Sequence, residues 1–67
     1  MILESFYDIL QLLKRFGIFI YTGSREQDAI MMELEVKDLY ESQLIDQQTY
    51  LQAMVILRKE TSKESRI

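Results

Sequence analysis

Both glycines of this chain, Gly17 and Gly23, lie within one seven-residue stretch, and proline is absent. Glycine and proline are the strongest local breakers of regular structure, so the one stretch marked for interruption is the segment around residues 17–23. The flanking sequence is rich in Leu, Met, Glu, Gln and Lys, which are good helix formers. The chain is therefore read as all-α, with helices joined by short turns and one unusual connector. At 67 residues it can form one domain only, because a domain of this size buries only about 60% of its unfolded surface.

Three helices follow from the apolar spacing. Phe6, Ile9, Leu10, Leu13 and Phe16 fall on one stripe of a helix running from about Phe6 to Phe16. Ser5, with Asp8 three residues on, supplies the N-cap, and Gly17 suits the left-handed position after the helix end. A second helix is expected from about Arg25 to Ser42, with Ala29, Met32, Val36, Leu39 and Tyr40 buried and Ile30, Met31 and Leu34 widening the stripe. Ser24 and Gln27 form the capping-box pattern at its start. After a turn through Gln43, Leu44 and Ile45, Asp46 caps a third helix from about Gln47 to Lys59. Its apolar residues Tyr50, Leu51, Ala53, Met54, Val55, Ile56 and Leu57 cover more than one face, as in a central helix or one that meets another subunit. The domain is expected over residues 1–60, with 61–67 a flexible polar tail.

Between the first two helices, Ile18-Phe19-Ile20-Tyr21 is β-branched and aromatic and reads as extended backbone. It is expected to be pinned on the core by Phe19, with Ile18 or Ile20 in support. The architecture is thus a small three-helix bundle with an extended connector between helices 1 and 2.

The residue inventory excludes most catalytic chemistry. Histidine and cysteine are both missing, which removes the usual neutral-pH base, the usual zinc ligands and the thiol nucleophile. Glu33, Glu35, Asp38 and Glu41 are the densest carboxylates, and they read as a solvated acidic face rather than a metal or catalytic site. No enzyme activity, metal or cofactor is expected. The lack of cysteine suits a reducing cytoplasm, and the apolar run Phe16 to Tyr21 is far shorter than the ~20 residues of a membrane span.

Net charge is −3, unevenly distributed. From Glu26 to Asp46 there are seven acids and only one base, Lys37, whereas Lys14, Arg15 and Arg25 flank the connector. That balance disfavours a duplex-DNA binder, which needs a strongly basic domain, and leaves room for a local basic patch. The segment Thr22-Gly23-Ser24-Arg25 at a helix start offers amides to an anion, but it lacks the second glycine and lysine of a P-loop, and Glu26 and Asp28 oppose phosphate. Tyr7, Lys14, Arg15, Tyr21 and Arg25 are the one aromatic and basic grouping. This mixture suits single-stranded RNA or DNA, whose bases stack on rings while cations follow the backbone. The structural alternative packs the Tyr21 ring on the core and leaves the cations solvated.

The strings Phe6-Tyr7-Asp8, Leu12-Leu13-Lys14, Phe16-Gly17 and Phe19-Ile20-Tyr21-Thr22-Gly23 are followed by Arg25, Asp28, Met32-Glu33-Leu34-Glu35, Leu39-Tyr40 and Leu44-Ile45. Together they resemble the YqgQ family of small bacterial proteins over about residues 5–58. The resemblance implies a three-helix domain of uncharacterised function, for which single-stranded nucleic acid binding has been suggested. It departs from the family pattern at Ser42-Gln43, where a glycine is common. Three functions compete: a nucleic-acid module using Tyr7, Lys14, Arg15, Tyr21 and Arg25; a helical module that self-associates as a homo-oligomer or binds a protein partner; and an enzyme using the acidic helix.

Overall fold

The structure is a computed structural model and describes residues 2–61. Three helices follow in order: α1 (Phe6–Lys14), α2 (Arg25–Glu41) and α3 (Gln47–Thr61), and no strand occurs among the described residues. The all-α three-helix bundle read from the sequence is the observed fold. Of the tail expected over 61–67, Thr61 closes α3 instead, and residues 62–67 lie outside the described residues.

Each helix begins where its cap predicts. Ser5 and Asp8 form a reciprocal capping box: the Asp8 amide donates to Ser5 Oγ at 3.3 Å, and the Ser5 amide donates to Asp8 Oδ2 at 3.2 Å. Asp46 Oδ1 accepts from the Thr49 amide at 2.8 Å at the start of α3. The box expected at α2 is half-formed. Ser24 Oγ accepts from the Gln27 amide, but the Ser24 amide donates to Thr22 Oγ1 at 3.2 Å, which takes the place of the Gln27 side chain.

Both α1 and α2 end in the same wrapped turn. Ile18 donates to Leu13 and Gly17 to Lys14; in parallel, Leu44 donates to Leu39 and Gln43 to Tyr40. These are the 6→1 and 5→2 bonds of a Schellman motif, which requires one left-handed residue. Gly17 takes that place with φ 77° in the first turn, and Gln43 takes it with φ 64° in the second.

The core is built from Leu3, Phe6, Ile9, Leu12 and Leu13 on the α1 side, Ala29, Met32, Val36 and Leu39 from α2, and Ala53 and Leu57 from α3. The most extensive interface joins α2 to α3, where the rings of Tyr40 and Tyr50 stack with centroids 4.3 Å apart. α2 supplies the most buried side chains, whereas α3, read from its apolar width as a central helix or one that meets another subunit, buries only Ala53 and Leu57. Leu51 and Val55 of α3 are exposed, as are Ile30, Met31 and Leu34, which were expected to widen the α2 core stripe.

Two further expectations are corrected. Phe16 is 38% exposed because α1 stops at Lys14 and the Schellman turn carries Phe16 off the helical stripe; Leu12 is buried in the core instead. Phe19 is 72% exposed rather than core. The Ile18 amide is drawn in to Leu13, and an extended chain alternates faces at every residue. Ile18 and Ile20 therefore pack inward, and Phe19 and Tyr21 point out.

Candidate functional site

The outer ridge of α1 and the connector meet at one surface. Tyr7 and Lys14 are seven residues apart on α1, two turns and about 10 Å along one face, and both are exposed. Beside Lys14 the connector forms a shallow groove of about 410 Å³, lined by Leu10, Lys14, Ile18, Phe19, Ile20 and Tyr21. Tyr21 is 87% exposed, so its ring is not packed on the core. Lys14 and Tyr21 are thus brought together, with Tyr7 further along the same ridge.

Arg15 lies elsewhere. It lines a second groove with Leu12, Phe16, Leu44, Ile45, Asp46 and Thr49, between the end of α1 and the α2–α3 turn. The Asp46 carboxyl in that groove is held below its ordinary range by hydrogen bonds from Thr49, the side chain first and the backbone amide second.

Arg25 is engaged in joining the helices. Its guanidinium carbon sits 4.3 Å from the centroid of the Phe6 ring, and its Nε lies 3.3 Å from Glu60 Oε1. One cation thereby ties the start of α1 and the start of α2 to the end of α3.

At the turn before α2, the Thr22 amide and the Thr22 hydroxyl both donate to Asp28 Oδ1 at 2.7 Å. Asp28 is 6% exposed, a buried charged side chain beside the core residue Ala29 in sequence. The anion-accepting groups at this helix start are therefore served in part by the chain's own oxygens, Asp28 Oδ1 for the Thr22 amide and Ser24 Oγ for the Gln27 amide. Among the described residues, no group of three or more carboxylates is placed to hold a metal ion, and no helix is long and apolar enough to cross a membrane.

Sequence reasoning passed over Phe19 and Asp28. The signal for Phe19 was present: once Gly17 fixes the Schellman turn and Ile18 turns inward, alternation puts residues 19 and 21 on the same outer face. Asp28 carried no such signal, because its partner Thr22 is six residues away across a turn whose path the sequence does not define.

Comparison with known proteins places this scaffold among relatives. A family model described as YqgQ-like matches residues 3–63. The chain is 41% identical over 58 residues to a Bacillus subtilis (strain 168) protein named "Uncharacterized protein YqgQ", covering 87% of this chain and 82% of that relative.

Proposed function

This chain belongs to the YqgQ-like family, and on that footing we propose that it is a non-catalytic cytoplasmic module that binds single-stranded RNA or DNA. The observation that carries the reading is the pair Phe19 and Tyr21, displayed outward on one short connector next to Lys14. Exposing two large rings side by side forgoes burial that the small core could use, and a ligand with stacking faces would recover it. Each stacked base contributes about 1–3 kcal/mol, so two rings, with Tyr7 as a third, support weak to moderate affinity. Lys14 next to the rings, and Arg15 around the helix end, would follow the phosphates. Arg25 is assigned mainly to structure because Phe6 and Glu60 already engage it.

With about two phosphates neutralised, log affinity should fall against log salt with a slope near −1.4. Fluorescence anisotropy with a labelled oligonucleotide tests the reading. Affinity should drop when Lys14 and Arg15 become Glu and when Phe19 becomes Ala; no binding at ~50 mM salt would refute it.

A second reading, a self-associating or protein-binding helical module, is supported by the exposed Leu34, Leu51 and Val55 on α2 and α3. A clean monomer at micromolar concentration in sedimentation, with no partner recovered from cell extract, removes that support.

A further inference from the structure

We infer that Asp28 is a positioning residue for the aromatic pair: acting through Thr22, it holds the connector so that Phe19 and Tyr21 are ordered and outward before any ligand arrives. This rests on the nucleic-acid reading above and adds the device that pre-organises its surface.

The connector has few other restraints. Its first end is tied by the Ile18 amide donating to the Leu13 carbonyl at 3.0 Å. Among the described residues, the amides of Phe19, Ile20 and Tyr21 donate no hydrogen bond to the protein, and the next tie is the Thr22 amide on Asp28. The segment is flanked by Gly17 and Gly23, with φ 77° and 92° and open space where a Cβ would stand. Without the second tie, Gly23 would leave that end free to swing.

The tie itself is built for rigidity. One carboxylate oxygen takes both the amide and the hydroxyl of Thr22 at 2.7 Å, short distances typical of bonds to a charged acceptor. The hydroxyl oxygen in turn accepts from the Ser24 amide at 3.2 Å, so the connector, the turn and the first turn of α2 are joined through one side chain. A buried carboxylate is costly unless its partners are present, which favours the closed arrangement over one with Thr22 displaced. Rings already ordered in the free protein avoid the entropy cost of immobilising them on binding.

The test uses the full chain and a fluorescein-labelled oligothymidylate of about 10 nucleotides. Thr22→Val removes the hydroxyl bond at an exposed position, and Asp28→Ala removes the whole tie. Each should weaken binding, about fivefold for Thr22→Val and tenfold or more for Asp28→Ala. Thr22→Ser keeps the donor and should restore affinity to within about twofold of the unmodified chain, and Asp28→Asn, which keeps an acceptor without its charge, should recover part of the loss. Thermal unfolding of every variant separates loss of binding from loss of fold. Equal affinity in all five proteins would overturn the inference, as would losses that the conservative variants fail to rescue.

Backbone relaxation keeps this outcome distinct from failure of the nucleic-acid reading itself. In the unmodified chain, the amides of residues 19–22 should have order parameters near 0.85, falling below about 0.6 in Thr22→Val and Asp28→Ala. If no oligonucleotide binds but these values hold, the proposed function fails and the tie stands. Unchanged order parameters in both variants would overturn the tie.

Discussion

The two Schellman turns form a natural reciprocal experiment, because the same bonds are made around glycine in one and glutamine in the other. Gly17 has φ 77° and Gln43 has φ 64°, and the closing bonds measure 3.0 Å in the first turn and 2.9 Å in the second. A left-handed backbone costs a residue with a Cβ about 1–2 kcal/mol. Glycine returns about 0.4–1 kcal/mol of that through its greater freedom in the unfolded chain. A Cβ at Gly17 would meet nothing within 4 Å, so Gly17→Ala adds backbone strain and no clash. The difference leaves Gly17→Ala destabilised by about 1 kcal/mol and Gln43→Gly stabilised by a similar amount. For a domain this small, 1 kcal/mol moves Tm by about 4–8 °C. Thermal and guanidinium unfolding followed by circular dichroism should show the two variants shifting in opposite directions at unchanged m-value, and the double variant close to the unmodified chain. A lower Tm for Gln43→Gly, or an unchanged Tm for Gly17→Ala, would refute the assignment of these residues as left-handed caps.

Arg25→Gln removes a cation from the Phe6 ring and an ion pair with Glu60 that is exposed on the arginine side, and should cost about 0.5–1.5 kcal/mol in unfolding experiments. A double-mutant cycle with Phe6→Leu checks the ring contact, and a coupling indistinguishable from zero would contradict it. Asp46 gives a pH prediction. Hydrogen bonds from Thr49 lower its folded-state pKa from the ordinary 3.8, so its stabilisation is present above that value and is lost as pH falls through the lower folded value. Exchange of the Thr49 amide should therefore accelerate, relative to its neighbours, only below about pH 4; Asp46→Ala should abolish that step.

Much of the fold was legible because helix boundaries are written locally. Ser5 with Asp8, Ser24 with Gln27 and Asp46 with Thr49 supply their side-chain oxygens within three residues of the amides they cap, so the starts of all three helices could be read from short strings. The YqgQ-like resemblance was also carried by such strings, Phe19-Ile20-Tyr21-Thr22-Gly23 above all. The candidate site was legible only in part. Lys14 and Tyr21 line one groove and Tyr7 stands two turns away on the same ridge, whereas Arg15 turns into another groove and Arg25 is engaged by Phe6 and Glu60.

The sequence by itself determined the class, the number of helices and their starts, since periodicity, caps and the placing of two glycines act over a few residues. Tertiary structure alone decided which apolar residues are core. Ile30, Leu34, Leu51 and Val55 have the character of buried residues, yet each points away from the single three-helix interface, which a chain of this length cannot extend to every face. It also decided the outward display of Phe19 and Tyr21. That depends on how the Leu13 carbonyl and the buried Asp28 hold the two ends of the connector, and the second of these ties joins Thr22 across a turn to a side chain on the first turn of α2.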